Sequence, residues 1–250
     1  MLRVTFKVVR TLVKDPNTAE ITIYNLGPEN RARLQTKDIA CSLEAGYVGN
    51  AHQIFSGTLD YGQSAQQGTD WVTTVQSGDG SKKFRSARAN ISLKGPVSAE
   101  QALAAAAQAL GIPPGNSTGK GSLRKSLTAF AQGLVLSGKS ELQVDKIMRS
   151  LGLSWSIQDG VLQTLGPTDV IGGSAVSLQP GTGLLGSPEF GEDGIVKARS
   201  LLQPELVPGR EVLLSSRQVT PAGRFRVQKA TFTGDTWGSA WYTDTELVPL

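Results

Sequence analysis

Ala19-Glu20-Ile21-Thr22-Ile23-Tyr24 alternates apolar and polar side chains and is rich in β-branched residues, the pattern of a half-buried strand. Working outward, residues 2–13 read as a partner strand, joined to it by a turn around Asp15-Pro16-Asn17. Downstream, Asn25 is placed as an N-cap, and Pro28 suits the first turn of a short helix ending near Leu34. Further strands are expected at 39–47, 53–61 and 70–79. Five strands and one short helix in about 80 residues fit a small barrel or sandwich.

Two helix signals follow. Ser98-Ala99-Glu100-Gln101 has the form of a capping box, with Leu103, Ala107 and Leu110 forming an apolar stripe before Gly111 and Pro113 end the helix. Ser140-Glu141-Leu142-Gln143 repeats the capping-box form. Val144, Ile147, Met148 and Leu151 then recur at helical spacing before Gly152. Leu153–Gln158 and Val161–Leu165 alternate on either side of Asp159-Gly160, a strong hairpin signal. Beyond residue 174 strands are expected near 175–179, 195–202, 210–217, 223–234 and 239–248. The Gly/Pro-rich stretch Pro180 to Gly194 is read as a loop. No internal repeat is visible between the two flanks.

With 250 residues, 39% of them hydrophobic and 18% charged, the composition is that of a folded chain rather than a disordered one. The 29 glycines fit many tight turns between short strands. The N-terminus alternates like a strand instead of resembling a signal peptide, and no run approaches the ~18 apolar residues of a membrane span. An aqueous compartment is therefore expected, with no membrane insertion by this chain. Charge is unevenly placed. Residues 80–140 hold nine basic residues and one acid, giving +8, while the sixteen basic and twenty acidic residues elsewhere give −4. A middle region with a surface unlike its flanks follows from this.

Most catalytic chemistries find no residues to run on. The sole cysteine, Cys41, lies in a strand-like run with no closely flanking basic residue and reads as a buried thiol. The sole histidine, His52, has no G-x-S-x-G elbow to serve, and one Cys with one His does not make a common zinc set. Gly111–Gly121 resembles a phosphate loop only superficially, since Pro114 stands where the first glycine belongs and Gly121 follows Lys120. Glu189, Glu192 and Asp193 lack EF-hand spacing and read as solvated loop acids. The run Lys82-Lys83-Phe84-Arg85-Ser86-Ala87-Arg88 reads as a solvated face or a contact with an acidic neighbour rather than a nucleic-acid site. No catalytic, cofactor-binding or metal-binding residue is assigned, no cofactor is expected, and the chain is not expected to be an enzyme.

Several segments together resemble the phage tail baseplate hub proteins, which join the tail tube to the spike. They are Ala19–Leu26 leading into the helix with Arg31 and Leu34; Leu43–Tyr47 followed by Ile54–Leu59; the capped helix and the Trp155 hairpin; Thr182–Glu189 continuing through Gly194 to Leu201–Pro204 and Pro208–Arg210; and Gly223–Val227 followed by Gly234-Asp235 and Trp241. Their order and spacing cover nearly the whole chain.

The resemblance implies a β-rich α+β fold: two tail-tube-like antiparallel β-barrel domains, 1–88 and 173–250, flanking a small α/β middle region, 89–172, with two helices and a hairpin. It implies a homotrimer, a virion protein of the tail baseplate made in the host cytoplasm. The implied partners are the chain itself, the tail tube protein, the spike protein and other baseplate proteins, with DNA only as passing cargo through a central channel. Two barrels per chain in a trimer give a six-fold-like ring, which buries strand edges between subunits. Since the sequence stops soon after its last expected strand, a spike or lytic domain is expected on a separate partner. Acidic flanks lining the channel would let DNA slide, leaving the basic middle to face acidic neighbours. Two other readings compete. In a carbohydrate- or receptor-binding tail-tip module, Trp237, Trp241 and Tyr242 would form an aromatic platform, but Gly234–Tyr242 reads better as a hairpin turn with Trp241 entering a core-facing strand. A cell-wall hydrolase would use converging carboxylates, though nothing in the sequence marks a pair.

Overall fold

The computed structural model describes residues 1–36, 39–80, 86–113, 115, 130–216 and 223–250. Strands account for 53% of it and helix for 16%, with three helices, so the fold is β-rich with antiparallel sheets. The chain separates into two compact units, one of residues 1–11, 17–79 and 173–250, the other of residues 12–16 and 80–172.

The first unit is built on one eleven-stranded sheet. Its N-terminal half comprises β1 (Val4–Thr11), β2 (Thr18–Tyr24), β3 (Ala40–Tyr47), β4 (Asn50–Gln67) and β5 (Asp70–Gly78). The C-terminal half comprises β10 (Val176–Leu178), β11 (Leu184–Phe190), β12 (Val196–Leu201), β13 (Glu211–Leu214), β14 (Gly223–Asp235) and β15 (Trp241–Pro249). The main path runs β11-β12-β15-β14-β1-β2-β5-β4-β3, with β13 attached to β14 and β10 to β13. All pairs are antiparallel except β10 with β13. Strand β1 is where the two flanks of the sequence meet, because it pairs with β2 on one side and with β14 on the other.

Alternation explains which residues face inward. Phe6 and Val8 on β1 lie beside Ile21 and Ala19 on β2 and beside Gly234 and Phe232 on β14. These join Ile54, Phe55, Val212, Val227 and Leu247 in a single core. Leu202 and Leu206, from the segment between β12 and β13, are also fully buried there. Full burial of each such side chain contributes about 1.5–3 kcal/mol. Helix α1 (Pro28–Leu34) rests on β4, where any Cβ at Gly62 would stand 2.0 Å from the Leu34 carbonyl oxygen.

The second unit has two helices, α2 (Ala99–Leu110) and α3 (Ser140–Leu151), with two ribbons, β6 (Arg88–Lys94) with β7 (Gly133–Lys139) and β8 (Ser154–Gln158) with β9 (Val161–Leu165). Ala102, Ala105, Ala106 and Ala109 are buried along α2, and these small side chains let Leu110, Val144, Ile147 and Met148 close over them. Asp159 (φ 52°) and Gly160 (φ 79°) make the β8–β9 turn with both central residues left-handed, as the Asp-Gly signal requires.

Three local expectations are corrected. Asn25 is not the N-cap of α1; Gly27 is, without a side-chain cap. Asn25 instead adopts φ 57°, accepts from the Trp71 amide at 2.9 Å and donates to Asp70 at 3.0 Å. The capping box holds at Ser98 and Gln101 but not at Ser140, which lies one residue inside α3, after Lys139. Ser140 Oγ is buried without a hydrogen-bond partner among the described residues. The stretch Pro180 to Gly194 is not all loop, since β11 occupies Leu184–Phe190 after a 3₁₀ turn at Pro180–Thr182. Its glycines and Pro188 masked the alternation because this is an irregular edge strand, where proline is tolerated.

Candidate assembly surfaces

The residues singled out from sequence do not converge on one chemical site. His52 lies on β4, exposed, with its Nε2 2.7 Å from Asn50 Oδ1. Cys41 is half-buried on β3, and burial pushes its thiol pKa up, away from reactivity. Asp193 accepts from the Ile195 amide at 3.0 Å and so fastens its own turn. Among the described residues no group of three or more His, Cys, Asp or Glu side chains is placed to hold a metal ion, and no helix is long and apolar enough to cross a membrane. Lys82, Lys83, Phe84 and Arg85 lie outside the described residues, as does most of 111–121.

The three C-terminal aromatics are also divided. Trp241 lies edge-on to Phe6, centroids 5.4 Å apart, and donates from Nε1 to the Gly46 carbonyl at 3.2 Å. Tyr242 stands beside Arg199, whose guanidinium is 5.6 Å from the ring. Only Trp237, 70% exposed in the β14–β15 turn, is largely free to meet a ligand.

What the fold does assemble in the first unit is two surfaces. One is the solvent face of β11, β12, β15 and β14, around a concavity of about 590 Å³. Register places Glu189 opposite Lys197, Lys197 opposite Glu246, and Glu246 opposite Lys229. In the neighbouring row Arg199 stands opposite Asp244. Two of these cross-strand pairs close as ion pairs: Arg199 grips Asp244 through both Nε (2.6 Å) and Nη2 (3.2 Å), and Lys229 Nζ lies 2.8 Å from Glu246 Oε1. Asp244 raises the Arg199 pKa further above its ordinary value. These ladders were missed in the sequence because cross-strand partners are invisible until the register is known.

The second surface is the open edge at β3. Among the described residues this strand pairs with β4 alone and ends the sheet path, so its other row of backbone donors and acceptors has no described strand beside it. Behind it lies an apolar cleft of about 400 Å³ whose walls include Val4, Ile23, Leu34, Ile39 and Leu43. The opposite edge, β11, is different. It carries Pro188, and although both edge pairings contain a register shift, that of β11 with β12 (between Leu185 and Glu189) is longer than that of β3 with β4 (between Leu43 and Glu44). Proline guards an edge against pairing; β3 has neither proline nor lysine, and its only charge is Glu44.

No protein-family model and no curated sequence matches the chain. Solved structures do. A tail protein of prophage MuSo2 from Shewanella oneidensis superposes with a TM-score of 0.67 at 9% identity, covering 100% of this chain and 98% of that one. A tail protein from Neisseria meningitidis MC58 gives 0.67 at 10% identity, with 98% and 91% covered. The chain has a phage tail-protein fold. The c3393 protein of Escherichia coli, a type VI secretion component described as structurally similar to the T4 tail proteins gp27 and gp5, gives 0.66 at 12% identity, with 100% and 74% covered. The tail-protein fold thus extends over both units.

Proposed function

We propose that the chain is a non-enzymatic structural protein of a bacteriophage tail and serves as its baseplate hub. In this role it is a ring-forming symmetry adaptor, a homotrimer joining the tail tube to the central spike and leaving a channel for DNA. Residues 1–88 and 173–250 supply two tube-like β domains, and 89–172 the middle region between them. Tail tube protein, spike and other baseplate proteins are its partners, and DNA passes as cargo.

The observation that carries this reading is the pair of unequal sheet edges. Two flanks of the sequence merge into one sheet through β1, leaving β3, among the described residues, open over an apolar cleft and β11, interrupted by Pro188, at the far end. An unguarded edge of this kind is a hazard in an isolated molecule and an asset in a ring, where a neighbouring chain covers it. The −4 charge of the sequence outside residues 80–140 fits a wall past which DNA slides.

Gold-labelled antibody against the chain, imaged on intact phage particles, tests the proposal. Label confined to the tail tip where tube meets baseplate is expected. Label on fibres points to a receptor-binding module instead, and no label on well-opened particles removes the virion role.

A further inference from the structure

The β6–β7 ribbon of the second unit has one strongly basic face. Arg88, Asn90, Ser92 and Lys94 on β6 are exposed at alternate positions, and so are Val135, Ser137 and Lys139 on β7. Register sets Arg88 directly opposite Lys139 and Ser92 opposite Val135. Like charges facing each other across a ribbon are destabilising on their own. Lys139 is answered by Glu141 at 2.7 Å, while Arg88 and Lys94 have no acidic partner among the described residues. The face therefore carries two cations without a carboxylate partner among the described residues, a third, Lys139, held by Glu141, and an apolar side chain, Val135, that is 69% exposed between them. Arg88 and Lys94 stand about 20 Å apart at the rise of an extended strand.

The end of β11 and the turn that follows it in the first unit are its chemical counterpart. Glu189 at the end of β11, and Glu192 and Asp193 in the turn, are exposed and have no cationic partner within ion-pair distance among the described residues, Lys197 standing opposite Glu189 in the strand register without closing a pair. Phe190, 42% exposed, sits among them. The turn is held in shape by Gly191 N–H to the Ile195 carbonyl (2.9 Å) and by Ile195 N–H to Asp193 (3.0 Å), so these groups are presented on a fixed frame. An apolar centre with a charged rim is the anatomy of a protein–protein contact. A phosphate backbone would match the cations but offers nothing to Val135, whereas Phe190 does.

From this complementarity we infer that the acidic β11–β12 turn of one copy docks on the basic β6–β7 face of a second copy. The contact joins unlike surfaces, so it passes from chain to chain and closes into a ring when the rotation allows. It rests on the ring-forming reading above and names the surfaces that meet.

The test is the assembly state of the purified full chain across a concentration series, by analytical ultracentrifugation, with thermal melting of each variant to confirm folding. The pair R88E/K94E is expected to raise the concentration of half-assembly roughly tenfold or more, and E189K/E192K likewise. The four changes in one chain restore charge matching and are expected to recover assembly. V135D is expected to weaken it, and the charge-matched control R33E/K146E to leave it unchanged. Assembly unaffected by either reversal, no recovery in the fourfold variant, or equal weakening by the control overturns this contact while leaving a self-assembling hub intact. A wild-type chain that is monomeric at every concentration overturns the ring-forming reading as well.

Discussion

Arg3 and Asp235, 232 residues apart in sequence, form a bidentate ion pair, with Nη2 2.8 Å from Oδ2 and Nε 3.2 Å from Oδ1. Arg3 also lies 4.8 Å from the centre of the Tyr24 ring, so one guanidinium ties the start of β1 to β2 and to the end of β14. The Arg3 guanidinium, helped by the Trp237 and Gly238 amides, pulls the Asp235 pKa down to about 2 from 3.8. A carboxylate with a depressed folded-state pKa stabilises the fold above its unfolded value and loses that contribution as the pH falls through the folded one. Stability should therefore decline between about pH 4 and pH 2, with this pair among its causes. In D235N that part of the decline should vanish, giving a shallower dependence of the urea midpoint on pH over that window. An unchanged slope would show that the pair is not linked to folding.

Beneath this ion pair, Gly234 lies between two aromatic rings. A Cβ there would stand 2.3 Å from Phe6 Cζ and 2.7 Å from Trp241 Cζ3, both belonging to the edge-on pair in the core. G234A should destabilise the first unit by about 1–3 kcal/mol, the usual range for overpacking. That corresponds to a fall in melting temperature of a few degrees in a chain of this size. Adding F6L should recover part of the loss, whereas F6L alone should only destabilise. Equal losses from G234A with and without F6L would remove the steric explanation.

How far these features are legible in the sequence depends on how local their causes are. The Asp159-Gly160 turn, the Ser98 capping box and the alternation of Ala19–Tyr24 are set by neighbours in the chain, and the structure follows them. Ser140 has the same capping-box spelling, yet the preceding Lys139 takes the cap position, and Glu141 is drawn to Lys14 and Lys139 rather than to an amide. Strands β6 and β7 were not read because 38 residues separate their facing ends, Lys94 and Gly133 pairing only through tertiary structure. The Arg199–Asp244 and Lys229–Glu246 ladders are invisible for the same reason. The hairpin turn before Trp241 and the entry of its ring into a core-facing strand are readable locally, whereas its partner there, Phe6, comes from the opposite end of the chain.

Among the described residues Glu141 centres the most buried ion pair of the second unit. Its Oε1 is 3.0 Å from Lys14 Nζ and its Oε2 2.7 Å from Lys139 Nζ, with the acid's side chain only 10% exposed and the two lysines about half so. The lysine hydrogen bonds, that of Lys139 foremost, hold its pKa below the usual Glu value. E141Q keeps the shape and removes the charge. It should cost about 1–3 kcal/mol in urea unfolding at neutral pH, the range for hydrogen bonds to charged groups. The difference between E141Q and wild type should shrink as the pH drops below the ordinary Glu range, where the wild-type acid is itself protonated. A difference that persists at low pH would assign the loss to packing instead.

The open edge of β3 offers the most direct probe of the hub proposal, since it separates folding from assembly. Ala40 and Ser42 are exposed on this strand at the margin of the apolar cleft, so lysines there can reach solvent and should change stability by no more than about 0.5 kcal/mol. Lysine on an edge strand is also an effective bar to further strand pairing, because the added strand would have to bury or displace the charge. A40K/S42K should therefore melt like the wild type yet assemble more weakly, and it should fail to add to tail tips in particles grown with the variant. A lysine at Ser187, an exposed position of β11, should have less effect on assembly, because Pro188 beside it already spoils that edge for pairing. Assembly that tolerates A40K/S42K would mean that β3 remains uncovered in the ring, and the apolar cleft behind it would then need a different occupant.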